Sequence, residues 1–381
     1  MRGWWLGAFL IATGTWPSAA RAQQVHLETP QLALAEEHQP GHDDAWLRPG
    51  TLAAAASVVP SFFLHGSGAF LVGDRKAARR LAISEGAGLA VLVAAGTLIY
   101  ITGSSRRLVG SLAPLAIGGF SFFMIGWLAD VYAASTGGRP EATAPNFVPR
   151  LEGELGYLYV YDPQFRYRSF LVGQADLRAG AFRASPSFAT ALDDDNQRVA
   201  LELAFRGWGR SPSRVGTDGS FAELATGLRY HRFGNDGFAV TTPEWHIDGR
   251  LDLARVGPSL AGSFVQGQLG AALELYDFDA PGSRISDNAF GLLLARFGFG
   301  VYFGDGGRRS GEAQLYYDHR HDDFAAGLGT AGIAAGILGH VGMRGHYYVT
   351  RNWGVSGLTE LGSAFVAGLS LRYRHTPREQ G

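Results

Sequence analysis

The sequence predicts an α+β membrane protein, an N-terminal apolar helical hairpin followed by an antiparallel transmembrane β-barrel of about ten strands. Three observations predict it. Two uncharged runs, residues 86–103 and 108–128, are 18 and 21 residues long. Each is long enough to cross about 30 Å of hydrocarbon as a helix. From Leu151 the apolar residues recur with a period of two, the mark of a strand with two unlike faces. The alternating segments run to about ten residues or more, the length a tilted strand needs to cross a bilayer.

At the N-terminus, Met1-Arg2 precedes an apolar run from Trp4 to Ala12, and Ala20-Arg21-Ala22 then precedes Gln23. This order of charge, apolar stretch and small-residue site predicts a secretory signal peptide over residues 1–22, cleaved on export. Residues 23–50 are polar, with Glu36-Glu37-His38 and His42-Asp43-Asp44. With no repeated ligand spacing, they read as a solvated mature N-terminus rather than a metal site.

Residues 51–134 form the apolar helical segment. A first stretch from Leu52 to Val72 precedes the hairpin, whose corner is Ser104-Ser105-Arg106-Arg107. Gly86, Gly88, Gly96, Gly110, Gly118 and Gly119 are placed for close helix approach, and Pro114 for a kink. His65-Gly66-Ser67-Gly68 with Gly73-Asp74 reads as a tight turn at the membrane interface, since the strand and the Lys-Ser/Thr of a phosphate-binding loop are missing. Arg75, Lys76, Arg79 and Arg80 form a basic edge suited to anionic headgroups. Pro140 and Pro145 mark residues 135–150 as a linker.

The barrel pattern covers residues 151–375, in ten segments: 151–162, 169–184, 198–210, 220–233, 238–256, 260–277, 290–304, 311–320, 340–350 and 355–375. Leu151, Leu155, Tyr157, Tyr159 and Tyr161 share one face, and Glu152, Glu154 and Asp162 the other. Val199, Leu201, Leu203 and Phe205 oppose Glu202, Arg206 and Trp208. Trp245, Ile247, Leu251 and Leu253 alternate with Glu244, His246, Asp248, Arg250 and Asp252. Leu293, Ala295, Phe297, Phe299, Val301 and Phe303 form one face of a later segment. In the last, Leu361, Phe365, Leu369, Leu371 and Tyr373 oppose Ser370, Arg372 and Arg374. Gly234-Asn235-Asp236-Gly237 and Gly304-Asp305-Gly306-Gly307 carry turn chemistry. Tyr157, Tyr159, Tyr161, Trp245, Tyr347 and Tyr373 are read as near strand ends, where interfacial girdles stand. Such a sheet must close, because unpaired edges are not tolerated in hydrocarbon.

The pattern resembles the broad class of bacterial outer-membrane β-barrels over residues 147–375, a resemblance of pattern without a unique motif. It implies location in the outer membrane. Members of that class usually end on an aromatic residue; here Tyr373 is the last strand aromatic, and a polar tail, residues 376–381, follows.

The polar faces place Glu152, Glu154, Asp176, Arg178, Glu202, Arg206, Glu223, Arg229, Glu244, His246, Asp248, Arg250, Asp252, Glu274 and Arg296 toward the interior. Charges of both signs predict a narrow, salt-bridged lumen, because isolated charges there are costly. The expected role is structural, adaptor or small-solute channel. The densest ionisable cluster is Tyr316-Tyr317-Asp318-His319-Arg320-His321-Asp322-Asp323. His319 and His321 with Asp322 and Asp323 have the residue types of a general base and its orienter, or of a cation or lipid-phosphate site. A salt-bridged interfacial loop is the simpler reading. Barrel enzymes that trim membrane lipids carry a Ser closely after such a His, and none matches here, so an enzyme acting on lipid stays an alternative. Glu244, His246 and Asp248 share one strand face, where lumen packing outweighs metal binding.

The composition closes other classes. The chain of 381 residues has no Cys, which excludes disulfides and thiolate chemistry. A formal net charge of −1 gives no pull toward nucleic acid. No cofactor and no metal are expected; the expected partners are membrane lipid and, through the helical segment, envelope proteins. The 16 residues 135–150 span at most about 55 Å. Hairpin and barrel are therefore expected to serve one membrane, the rival being an inner-membrane hairpin with a periplasmic β domain.

Overall fold

The computed structural model describes residues 58–102, 106–138, 142–162, 168–210, 216, 218–234, 237–278, 289–304, 306–307, 309–325 and 338–375. The signal peptide, the polar N-terminus with its His and acid groups, and the tail lie outside these residues.

A short helix over residues 58–63 leads to α1 (Ser67–Leu71), α2 (Arg75–Ile101) and α3 (Arg106–Ser135). Pro114 lies inside α3. The pair α2 and α3 forms the hairpin, and two glycines set its closest approach: a Cβ at Gly119 would stand 2.6 Å from Leu92 N, and one at Gly88 2.8 Å from the Gly119 carbonyl oxygen. Gly86, Gly96 and Gly118 face open space instead, so they have no part in this contact. Gly119→Leu is expected to part the helices at a cost of about 1–3 kcal/mol. Proteinase K digestion of the reconstituted protein should then degrade the hairpin faster while the barrel fragment persists.

The stretch before α2 docks on this hairpin through two carboxylates, one buried and one half-buried. Asp130, fully buried, accepts the backbone N–H groups of Gly68 (2.9 Å) and Ala69 (2.8 Å). Glu85 accepts that of His65 at 2.8 Å. Backbone donors freed by a break in helix need such partners in apolar surroundings. Asp74 caps α2 by accepting from Ala77 N at 2.9 Å, and also accepts from the Ser259 hydroxyl at 2.8 Å, tying the hairpin to the barrel.

Twelve strands follow: β1 (Leu151–Tyr161), β2 (Ser169–Ala179), β3 (Phe182–Ala191), β4 (Asn196–Gly209), β5 (Phe221–Phe233), β6 (Phe238–Asp252), β7 (Ser263–Phe278), β8 (Ala289–Gly304), β9 (Ser310–Asp318), β10 (His340–Tyr348), β11 (Trp353–Leu361) and β12 (Phe365–His375). Each pairs antiparallel with its neighbours, and β1 closes on β12 from Leu151↔His375 to Tyr161↔Phe365. The count is twelve rather than about ten, because residues 355–375 are the hairpin of β11 and β12, and residues 169–184 join β2 to only the first three residues of β3, whose remainder lies outside every segment. Residues 169–184 break at Gly180, which turns with φ +61°, and residues 355–375 break after Leu361.

Three further expectations change. A bulge after Arg206 rotates Trp208 out of the polar face, so it stands exposed beside Phe205. Leu253 leaves the strand for a 3-10 turn and is buried under the helices. Trp245 lies at the centre of β6, away from either end.

The outer face carries an apolar band of Leu201, Leu203, Ile247, Val355 and Leu369, all exposed. Exposed Phe182, Phe205, Trp208, Phe303 and Trp353 ring it at the end bearing the barrel's termini, and Tyr161, Tyr230, Phe278 and Phe290 at the other. Two aromatic girdles flanking an aliphatic band are the surface of a transmembrane barrel. The hairpin covers part of this face on β7 and β8. Leu81, Ala129 and Ala133 pack with Leu253, Leu260 and Phe299, with Ile125, Leu128 and Tyr132 around them. The Tyr132 hydroxyl donates to the Ala261 carbonyl at 2.9 Å.

Candidate functional site, a lumen lined by ion pairs

The inward faces enclose a cavity of about 670 Å³, lined by eleven arginines and eleven carboxylates among the described residues. Removing charge from water is costly unless it is paired and hydrogen-bonded, and the walls meet that demand by pairing across strands. Glu152 of β1 accepts from Arg372 of β12 at 2.7 Å and from the Tyr348 hydroxyl of β10 at 2.5 Å. Glu154 accepts from Ser356 at 2.8 Å. Arg250 of β6 makes a two-pronged bond to Glu312 of β9, at 2.7 and 2.9 Å. Asp248 accepts from Gln266 at 3.2 Å. Arg183 is a hub between Glu202 at 2.7 Å, Glu223 at 3.1 Å and Asp176 at 3.5 Å. His246 approaches Glu202 at 3.5 Å. Asp252 sits at the rim, where it accepts from the Tyr302 hydroxyl at 2.6 Å.

Arg183, Glu312, Arg344 and Glu360, all on the cavity wall, escape the sequence reading. Arg183 follows the unrecognised turn at Gly180, and recognising that turn would have assigned it. The others occupy segments whose alternation is diluted by Gly and Tyr.

Both mouths are narrowed. The linker runs from the hairpin, outside β7 and β8, to β1. In the ring of twelve, β1 and β7 stand six places apart, and Pro145, Phe147, Val148 and Pro149 of the linker line the cavity between them. Ala144 packs with Phe264 and Tyr302, Asn146 donates to the Gly306 carbonyl at 2.8 Å and accepts from Gly216 N at 3.1 Å, and the Arg374 guanidinium lies 4.8 Å over the Phe147 ring.

At the opposite mouth, residues 319–325 fold inward. Arg320, only 8% exposed, reaches Glu244 on the wall and bonds Asp322 at 2.5 Å. Arg229 meets Asp322 at 3.4 Å, and Arg198 meets Asp323 at 2.5 Å. Phe324 and Ala325 are buried with Leu158, Val160, Phe170, Ala189 and Val366. The Phe324 ring lies 4.6 Å from Phe170, and Ala364 N donates to the Ala325 carbonyl at 3.2 Å. Charge pairs hold the loop on the lumen side and an apolar cluster seals it above.

The four residues weighed as an acid–base set are thus divided. Asp322 and Asp323 bond arginines, whereas His319 Nδ1 lies 2.9 Å from the Tyr317 hydroxyl and the His319 ring meets His321 edge-on at 5.0 Å. Burial, aided by His321 and opposed by Asp318, holds the His319 imidazole down to about 4 from an ordinary 6.5. The neutral ring is the folded form, and the unfolded chain binds the extra proton between those values. Anchoring of the loop is therefore complete above about pH 6.5 and weakens as pH falls toward 4. Protease cleavage within residues 319–325 should rise across that window, and His319→Asn should flatten the rise.

No protein-family model matches the chain, and no curated protein matches it. Among solved structures it is similar to a KdgM porin in complex with disordered oligogalacturonate, at 8% identity and TM-score 0.34 over 59% of this chain and 99% of that one. The outer membrane protein Omp33 of Acinetobacter baumannii gives 11% identity and TM-score 0.31 over 60% and 100%. The NanC porin gives 10% and 0.34 over 58% and 100%. The closed twelve-stranded ring itself places this fold among outer-membrane-type barrels.

Proposed function

We propose that this chain spans the outer membrane as a twelve-stranded barrel and passes small polar solutes through a narrow lumen that is closed at rest. The observation that carries this reading is a single cavity lined from end to end, from Pro145 and Phe147 at one mouth to Arg320 and Asp323 at the other. A cavity that runs the length of the barrel offers the path a small solute needs. Equal numbers of fixed charges favour solutes that can exchange hydrogen bonds with both signs, and the inward loop limits their size.

The apolar hairpin shares the barrel's bilayer in this reading. Its exposed Ile83, Leu89, Val93, Leu115 and Phe122 face lipid, and exposed Arg75, Lys76 and Arg79 sit at the headgroup level. That surface also supports a second reading, an adaptor that docks envelope proteins through the hairpin.

Reconstitution in planar bilayers tests the first reading. The intact protein should give small, infrequent openings at neutral pH. Conductance that stays at the bilayer background, even after residues 319–325 are deleted, would leave the adaptor reading.

A further inference from the structure

We infer that Glu202, Glu244 and His246 form a binding site for a divalent transition-metal ion of the zinc class within the lumen. One ligand atom of each lies within 4.8 Å of the other two. The strands build this arrangement directly. Glu244 and His246 are two apart on β6 and so share the inward face. Glu202 of β4 pairs with Gly227 of β5, and Gly227 pairs with Glu244. The two carboxylates therefore flank a position with no side chain. A Cβ at Gly227 would stand 2.8 Å from Glu244 Oε1, so the glycine leaves the space between them open.

The hydrogen bonding leaves donor atoms free there. Each carboxylate has one oxygen held by an arginine, Glu202 Oε1 by Arg183 at 2.7 Å and Glu244 Oε2 by Arg320. Each thus keeps its other oxygen for a ligand, as outer-shell partners orient metal-binding groups. The His246 side chain is 98% buried, at 2% exposure, and its Nε2 lies 3.5 Å from Glu202 Oε2. Its Nδ1 has no partner at all. A buried imidazole without a good hydrogen bond, aimed at a free carboxylate oxygen, is a poor structural element and a ready ligand. One nitrogen and two carboxylate oxygens are donors that zinc accepts, with a fourth position left open to the lumen. Asp248, which the sequence places on the same face, is engaged by Gln266 instead; the third ligand comes from another strand.

The site stands whether or not the lumen conducts. It is tested on the full mature chain in detergent, titrated with zinc ion by calorimetry in metal-free buffer, with cobalt ion absorption as a second readout. One saturable ion per chain is expected. His246→Ala and Glu202→Gln should each weaken binding by about tenfold or more, on the scale that loss of a metal-shell group produces. Gly227→Ala, which removes no ligand and fills the gap, should weaken it as well, and serves where a ligand variant fails the heat-modifiable mobility check of folding. The double variant His319→Ala/His321→Ala should bind as the wild type does. Absence of saturable binding by the wild type, equal affinity in His246→Ala, or loss confined to the His319 and His321 variant would each overturn the assignment.

Discussion

Arg320→Ala is expected to raise the conductance of the reconstituted barrel severalfold and to lower its stability by about 3 kcal/mol, the scale for removing one partner of a buried charge pair. Arg320 bonds Glu244 on the wall and Asp322 within its own loop. Its loss strands Glu244, which is 6% exposed, and frees the lumen side of residues 319–325. The two effects separate in the double variant Arg320→Ala/Glu244→Gln. Neutralising the stranded carboxylate should restore most of the stability, measured by denaturant titration of tryptophan fluorescence. The raised conductance should remain, because the tether is still missing. Wild-type conductance in both variants would mean that this loop does not close the lumen.

Leu201→Arg should cost about 2–4 kcal/mol in a bilayer, the range for a cation at mid-depth on a lipid-facing strand. Leu201 lies within β4, 46% exposed, between Val199 and Leu203 on the apolar band. Ser187→Arg, on the cavity wall, should cost less than that, since its long side chain can reach carboxylates across the lumen. The sign discriminates sharply. On a water-facing sheet, arginine at position 201 would be neutral or favourable. Unfolding in liposomes of matched thickness gives the comparison, and equal effects at the two positions would remove the membrane assignment for this face.

Much of this architecture is legible in the chain because alternation is a local property. Each strand announces its two faces by its own residues, as Val199, Leu201 and Leu203 do against Glu202. Strand number is harder to read, for a geometric reason. The turn between β11 and β12 has three residues, so outward positions keep the same parity from Leu361 to Phe365, and the alternation runs unbroken through a reversal of the chain. The turn at Gly180 flips the parity, yet Ala179, Ala181 and Ala184 are too small to mark the change. The bulge after Arg206 shifts the pairing by one residue and turns Trp208 outward. Nothing in the residues around it forces the extra position.

The candidate sites divide along the same line. That Glu152, Glu244, His246, Asp248 and Arg250 face inward follows from the period of two. What they bond does not. Arg250 finds Glu312 62 residues away, and Glu152 finds Arg372 220 residues away, and neither pair exists until the sheet closes on itself. The metal-ligand set is a case of the same kind, since Glu202 joins Glu244 and His246 only across Gly227.

The sequence by itself determined an apolar helical hairpin, long two-faced strands and a charged interior, because helix length and strand alternation are set by neighbours along the chain. Tertiary structure alone decided the number of strands, the lodging of the hairpin on β7 and β8, the linker at one mouth and the inward fold of residues 319–325 at the other. Those features depend on contacts between residues far apart in sequence, which ring closure brings together.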